Sequence, residues 1–214
     1  TAAKQLVSLR DVAIDMPAGP SEVEVIADES ANPAFIAADF LSQAEHGVDS
    51  QAMLVTASES IVEPVMQAIR EQLDRLPRKE ITEKSLGHSR LIVLKDKQEV
   101  IDFTNLYAPE HLIIQTTDYA DIAGQIENAG SVFMGPYTPE SAGDYASGTN
   151  HTLPTNGYAK AYSGVNLDSF IKKITFQEIT ADGIKQLGGT IQAMAANEQL
   201  DAHKNAVTIR LNTL

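Results

Sequence analysis

Cysteine is absent from the 214 residues of this chain, and its absence excludes several kinds of chemistry at once. Disulfides, cysteine-ligated zinc, iron–sulfur clusters and thiol nucleophiles all need a side chain that the sequence does not contain. A metal ion bound by this chain must therefore be held by histidine, carboxylate or amide oxygen.

Basic residues and long apolar runs are also scarce. Sixteen Lys and Arg face 29 Asp and Glu, which gives a formal net charge of −13, and no Lys/Arg cluster of five or more offsets it. A surface with this charge repels phosphate backbones, so nucleic acid is not an expected partner. No apolar run approaches the roughly 18 residues that span a bilayer, and the first residues lack the layout of a signal peptide. We therefore expect no membrane association and a cytoplasmic location.

Short apolar runs alternate with amphipathic segments from residue 22 onward, and this alternation predicts an α/β fold. It is typical of βα units built on a largely parallel sheet that is flanked by helices. The predicted strands cover residues 23–27, 52–57, 90–94, 111–116 and 131–135.

Helix signals fill the gaps between these strands. Asn32 followed by Pro33 is a typical N-cap and first helical residue, and the helix that they open should run to about His46. Apolar residues recur at helical spacing between residues 61 and 76, and a shorter helix is predicted for residues 118–128.

The composition changes after residue 135. Residues 135–157 are rich in turn formers and polar side chains, so we expect a long loop of the kind that often carries function. Beyond residue 165 we predict a small tail domain, with a strand at residues 170–179 and helices at residues 181–197 and about 200–212.

Two pairs of polar residues stand at predicted element ends. Gln43 and His46 lie three apart near a helix end, on one face from which both could bind a metal. An ordinary helix terminus explains this pair as well, because glutamine is an uncommon zinc ligand. Glu110 and His111 follow Pro109 where a strand begins, and a carboxylate beside an imidazole suits proton transfer near neutral pH. A solvated strand-entry turn is the alternative.

Two further pairs carry potential ligands. Asp144 and His151 occupy the long loop, and Glu198 and His203 flank the break between the last two helices. A plain surface position is the alternative for each pair. The glycine-rich loops that bind dinucleotides or triphosphates are absent, and so are the Gly-x-Ser-x-Gly and His-Glu-x-x-His motifs of serine hydrolases and zinc proteases.

Five short stretches carry a resemblance to a known family. They are residues 14–22 (IDMPAGPSE), 39–47 (DFLSQAEHG), 108–112 (APEHL), 141–155 (SAGDYASGTNHTLPT) and 198–207 (EQLDAHKNAV). Read together and in this order, they resemble the signature sequences of the histidinol dehydrogenases over nearly the whole chain. The resemblance implies an incomplete Rossmann-like domain and an enzyme that oxidises L-histidinol through the aldehyde to L-histidine, with NAD as oxidant and a zinc ion.

The resemblance also implies a role for each candidate residue. Zinc would be held by four residues that also contact the substrate, Gln43, His46, Asp144 and His203. His111 would contact the substrate and take the proton from its alcohol, and Glu110 would activate water for the second oxidation. The remaining implied substrate contacts are Ser21, His151 and Glu198.

Members of this family are homodimers in which the tail domain crosses over, so Glu198 and His203 are implied to complete the partner's site. Full enzymes of the family are also longer than this chain. Residues 1–20 are then expected to be a remnant of the preceding NAD-contacting lobe, residues 21–165 part of the main catalytic domain and residues 166–214 the tail domain. Most NAD contacts are expected outside this chain. Glu24 departs from the family pattern, in which that strand position is commonly apolar.

The predicted function is therefore that of a truncated histidinol dehydrogenase, which should bind NAD poorly by itself. The alternative is a non-catalytic binding or interaction subunit that retains the zinc and substrate pocket. A zinc hydrolase that reuses the site is disfavoured, since no hydrolytic motif occurs in the sequence.

Overall fold

The structure is a computed structural model that describes residues 2–214. The chain divides into two compact units, Thr1–Ile171 and Lys172–Leu214. The predicted domain limits, after residues 20 and 165, stay predictions. No helix within residues 2–214 has both the length and the apolar composition needed to cross a membrane.

The first unit is built on a parallel sheet, as the sequence predicted. The described residues form five strands in the order β3-β2-β1-β4-β5, and every neighbouring pair is parallel. Each predicted apolar run is confirmed as a strand to within one residue at either end. The strands are β1 (Glu22–Ala27), β2 (Gln51–Thr56), β3 (Arg90–Val93), β4 (His111–Gln115) and β5 (Ser131–Met134).

The direction of winding reverses once. From β1 the chain moves outward to β2 and β3, and it then crosses back to place β4 on the other side of β1. Such a reversal defines a doubly wound α/β fold, with β1 and β4 as the two strands beside the switch point. Because both faces of these central strands are covered, β1, β2 and β4 read as nearly continuous buried runs.

One face of the sheet is covered by α2 (Pro33–Ala44), α3 (Val62–Leu73) and α4 (Lys79–Leu86). The Asn32 side chain accepts a hydrogen bond from the Ala34 amide, so the predicted cap is present. Side chains of α2 and α3 interdigitate with the inward residues of β1 and β2, and each such buried aliphatic side chain contributes about 1.5–3 kcal/mol.

The opposite face is covered by α5 (Lys97–Tyr107) and α6 (Tyr119–Ala123). Its core joins apolar residues of α5 and α6 to Ile26, Leu112 and Ile114 of the central strands. Glu24 shares this face because residues two apart on a strand point the same way, and it is fully buried. Glu24 and the buried Glu22 are the two departures from the apolar pattern of β1.

Two further α-helices belong to the first unit. The short helix α1 (Ala2–Ser8) precedes β1, and α7 (Glu140–Tyr145) interrupts the segment predicted as a loop from residue 135 to 157. The helix predicted for residues 118–128 is shorter than expected, because α6 ends at Ala123 and Gly124 forms its C-cap.

The second unit is a helical hairpin of α8 (Ala181–Asn197) and α9 (Asp201–Leu211). The helices meet at Gly188, where an added Cβ would lie 2.7 Å from a methyl of Leu211. The strand predicted for residues 170–179 is wrong: residues 171–180 have no regular secondary structure. Its apolar residues satisfied the pattern, but a strand also needs a neighbouring edge to accept its backbone hydrogen bonds.

Candidate active site

The candidate site lies where the strands of the sheet begin. His111 is the first residue of β4, and Glu22 is the first residue of β1. Helix α2 connects the parallel strands β1 and β2 and therefore runs antiparallel to both. Its C-terminal end, with Gln43 and His46, therefore approaches the edge of the sheet where the strands begin. Chain segments that are distant in sequence therefore meet at one end of the sheet.

Gln43 is completely buried, yet its side-chain amide is unsatisfied. Neither Oε1 nor Nε2 of Gln43 has a hydrogen-bond partner among residues 2–214. A buried polar atom left in this state costs about 1–3 kcal/mol, so native proteins rarely leave one without a ligand, ion or water to satisfy it. A cation bound by Oε1 would remove this cost.

His46 presents one ring nitrogen for binding. Its Nδ1 lies 2.9 Å from the carbonyl oxygen of Ser42, and a carbonyl can only accept, so Nδ1 carries the proton. The lone pair is then on Nε2, which is the arrangement that metal-binding histidines adopt. The helix end thus fixes both the tautomer and the direction of the imidazole.

Helix α7 brings two carboxylates to His46. One ligand atom each from His46, Glu140 and Asp144 can be chosen so that all lie within 4.8 Å of one another. Glu140 and Asp144 are four residues apart and so share one helical face. Glu140 was not among the residues that the sequence singled out, because the segment was predicted as a loop and a loop gives no reason to pair these positions.

Burial raises the pKa values of two carboxyl groups in this region. Burial, followed by repulsion from Asp144, Glu110 and Asp39, raises the pKa of Glu140 to about 9. Burial also raises the pKa of Asp39 to about 7. The carboxyl groups of Glu140 and Asp144, together with an imidazole nitrogen of His46, form a donor set that fits a divalent cation.

His111 is arranged as a neutral base. Its Nδ1 donates to the backbone carbonyl of Glu22 at 3.1 Å, and within the described chain its buried Nε2 has no hydrogen-bond partner. Burial lowers the pKa of His111, which favours the uncharged imidazole. Asp144 Oδ1 lies 3.9 Å from Nε2, so the basic atom faces the carboxylate cluster.

Glu110 stands beside this base and is also buried. Its Oε2 accepts from the Glu22 amide at 3.0 Å and lies 3.6 Å from His111 Nδ1. The Ser21 hydroxyl also donates to the carboxylate, but burial outweighs both hydrogen bonds and raises the pKa of Glu110 to about 8. A carboxyl group with this pKa can gain or lose a proton near neutral pH.

The backbone before Glu110 is strained. Ala108 is the C-cap of α5 and has φ 59°, in the left-handed region that a non-glycine residue seldom adopts, and it is fully buried. On the other side, a Cβ at Gly130 would lie 2.5 Å from the Glu110 carbonyl oxygen. The short strand entry that carries both titratable groups is therefore fixed by close packing.

Four predicted site residues remain, and only Ser21 contacts the acid–base pair in the described chain. Ser21 directly precedes β1 and contacts Glu110, as described above. His151 is exposed in the segment after α7. Glu198, the C-cap of α8, and His203, on α9, are exposed residues of the second unit, and their part in the site stays a prediction.

Fold and site together define a doubly wound α/β protein with a cluster of histidine and carboxylate side chains suited to a divalent cation. The family model for histidinol dehydrogenase matches residues 1–211. The chain therefore belongs to the histidinol dehydrogenase family.

Individual relatives agree with this assignment. The chain is 71% identical over 214 residues to a histidinol dehydrogenase of Bacteroides fragilis, and it covers 50% of that protein. It is 56% identical to the chloroplastic histidinol dehydrogenase of Arabidopsis thaliana, of which it covers 47%. The crystal structure of histidinol dehydrogenase from Elizabethkingia anophelis matches the whole chain with a TM-score of 0.96 and 58% identity, over 49% of its own length. The chain thus spans about half the length of these relatives.

Proposed function

We propose that the protein carrying this chain is a zinc- and NAD-dependent histidinol dehydrogenase that oxidises L-histidinol through L-histidinal to L-histidine. One observation carries the proposal. A buried imidazole turns its basic Nε2 toward a cluster of side chains that could bind a cation, with 3.9 Å between His111 Nε2 and Asp144 Oδ1. A substrate held at that cluster would present its hydroxyl group to a base.

The metal site would be formed by Gln43, His46 and Asp144, with His203 as the fourth ligand. The unsatisfied amide of Gln43 and the free Nε2 of His46 support this assignment. When bound, zinc orients the substrate and withdraws electron density from its polar atoms. The carboxyl group of Glu140, which the sequence did not single out, lies in the same cluster, and a cation bound beside it would favour its ionised form.

His111 would remove the alcohol proton in the first oxidation. Its Nδ1 is already committed to the Glu22 carbonyl, so the proton can only enter at Nε2. A positioned base of this kind contributes on the order of 10²–10⁴-fold to the rate. The positive charge that His111 gains with this proton is stabilised by the Asp144 carboxylate nearby.

Glu110 would act in the second oxidation, where water must attack the aldehyde. Its carboxylate can accept a proton from that water, because burial raises its pKa to about 8. Ser21, which donates to Glu110, would also contact the substrate beside the reacting carbon. His151 and Glu198 are proposed to complete the recognition of the substrate's polar groups.

NAD would take the hydride in each oxidation. The sequence contains no glycine-rich dinucleotide loop, so we propose that most NAD contacts come from residues outside this chain. The main catalytic domain would then include residues 21–165, and residues 1–20 would continue from the NAD-contacting lobe.

The predicted tail domain would act across a homodimer. We propose that residues 166–214 exchange between subunits, so that Glu198 and His203 complete the partner's site. The apolar side chains of residues 171–180, among them Ile174 and Phe176, are exposed and offer a surface for such an exchange. A cytoplasmic location belongs to the same proposal.

The test is NADH production from L-histidinol by the full-length protein, measured with and without a chelator. The proposal expects NADH formation that the chelator abolishes and added zinc restores. Zinc binding without any NADH formation would instead support the alternative of a non-catalytic binding subunit.

A further inference from the structure

One residue at the start of β1 contacts both titratable groups of the candidate site. The Glu22 backbone amide donates to Glu110 Oε2 at 3.0 Å, and the Glu22 carbonyl accepts from His111 Nδ1 at 3.1 Å. A small movement of this single residue would therefore turn both side chains. It would also release the hydrogen bond that keeps the His111 proton on Nδ1.

The side chain of Glu22 is held as firmly as its backbone. Its Oε1 accepts from the Asn156 amide at 2.9 Å, and its Oε2 lies 3.2 Å from the Tyr107 hydroxyl. The same hydroxyl lies 2.7 Å from Gln51 Oε1. The carboxyl group thus ties the start of β1 to the end of α5, to the start of β2 and to the segment that follows His151.

The hydrogen-bond pattern is complete when Glu22 is protonated. A tyrosine hydroxyl has one proton, and the shorter contact assigns it to Gln51 Oε1, which can only accept. The Tyr107 oxygen is then free to accept a proton from Glu22 Oε2. Burial raises the pKa of Glu22, which agrees with this arrangement.

Simple strand pairing does not need this side chain. Glu22 pairs with Gln51 in the ladder between β1 and β2 through backbone position alone, and most residues of β1 are apolar. A buried carboxyl group costs free energy unless its environment compensates for it. The stability of the sheet therefore does not explain why a carboxyl group lies next to the acid–base pair.

We propose that the carboxyl group of Glu22 is a positioning group for the reaction, because it fixes the peptide that orients Glu110 and His111. This inference rests on the proposed function of the same site. Glu22 itself does not exchange a proton with the substrate; it acts through the two side chains that its backbone holds.

The test compares three variants in the full-length protein. Glu22→Ala should lower kcat by about 10²-fold, the cost of roughly 1 Å of misplacement, while KM for L-histidinol and zinc content stay unchanged. Glu22→Gln should restore most of kcat, because its amide can still accept from Asn156 and donate to Tyr107. Glu24→Gln is the matched control, since it lies on the same strand face without touching the pair, and its kcat should equal that of the wild type.

Two kinetic results would overturn the inference: an unchanged kcat in a folded Glu22→Ala protein, or a Glu22→Gln protein as impaired as Glu22→Ala. If the alanine variant does not fold, Tyr107→Phe replaces it, because it removes the hydroxyl that holds Glu22 Oε2. An intermediate loss of kcat is then expected, and no loss refutes the role.

A second readout separates this inference from the proposed function. Long-range ¹H–¹⁵N spectra report the tautomer of His111 without turnover, and His111→Asn identifies the signal. The wild type should show the proton on Nδ1, and Glu22→Ala should show a mixture of tautomers. A wild type that makes no NADH would refute the proposed function alone, whereas an unchanged tautomer in Glu22→Ala would refute the role of Glu22.

Discussion

The ring of Phe133 packs against Gly143 so closely that no β-carbon fits between them. A Cβ built at Gly143 would lie 2.5 Å from one ring carbon of Phe133 and 3.0 Å from Thr149 Oγ1. The Phe133 side chain belongs to the hydrophobic core and cannot move away without disrupting its packing. The distance between the sheet and α7 is therefore set by the absence of a side chain at one position.

Gly143→Ala should weaken metal binding, because the added methyl must push α7 away from β5 and with it Asp144. We expect about a 10–100-fold loss of zinc affinity, the range seen when groups that orient metal ligands are altered. Isothermal titration with zinc measures the change. The control is Gly189→Ala, because no neighbouring atom of the described residues would lie within 4 Å of the added Cβ. Equal zinc affinity in both variants would contradict the packing argument.

His111→Asn should separate metal binding from turnover. The asparagine cannot act as a base at the position of Nε2, so NADH production from L-histidinol should fall about 10²–10⁴-fold. Zinc content, measured by atomic emission, should match the wild type because His111 is not among the proposed ligands. A turnover rate close to that of the wild type would refute the assigned role.

Glu24→Gln should stabilise the protein at alkaline pH. Burial raises the pKa of Glu24 from 4.5 to about 8, so the folded state prefers the protonated acid. In the unfolded chain the same group ionises near pH 4.5. The free energy of unfolding therefore decreases as the pH rises from about 4.5 to about 8, by up to about 1.4 kcal/mol per pH unit. The glutamine keeps the shape and the contact with Thr104 but has no charge to bury.

Urea unfolding at a series of pH values measures this effect. The wild type should lose a few kcal/mol between acidic and alkaline pH that Glu24→Gln retains. Glu29→Gln, at an exposed position just after β1, is the matched control and should follow the wild type. Parallel curves for Glu24→Gln and the wild type would mean that Glu24 does not ionise with the predicted penalty.

Zinc affinity should depend on protein concentration if the second unit completes the partner's site. Dilution from dimer to monomer removes His203 as a ligand, so the apparent Kd for zinc should rise. His203→Ala should bind zinc as weakly as the diluted wild type and should show no further change on dilution. A concentration-independent Kd for the wild type would argue against the exchanged arrangement.

The sequence was sufficient to predict the sheet, because its strands are continuous apolar runs. Val23–Ala27 and His111–Thr116 can be buried only between two layers of helices, and the structure places them side by side at the centre. The winding order is a different matter. The local sequence pattern does not predict that β4 pairs with β1. In this pairing Val23 lies opposite His111, about 88 residues later in the chain, so it depends on long-range contacts.

The candidate site was predicted in part. The residues of the family motifs were found by resemblance, whereas spacing alone left every pair open to an ordinary explanation. Glu140 was not predicted as a site residue because α7 has only six residues and begins beside a proline in a segment rich in turn formers. The role of Glu22 was not predicted because its contacts with Glu110 and His111 are made by its backbone, and the partners of a backbone group cannot be identified from the side-chain pattern of a sequence.

The left-handed conformation of Ala108 has a consequence for any mutational survey of the Ala-Pro-Glu-His stretch. The Ala108 methyl group is buried, and the left-handed backbone conformation costs about 1 kcal/mol, so substitutions of Ala108 change the stability of the fold. Two residues later, substitutions alter chemistry. A library screened only for growth or colour would group these neighbouring positions as one functional unit, and a parallel thermostability screen would divide them.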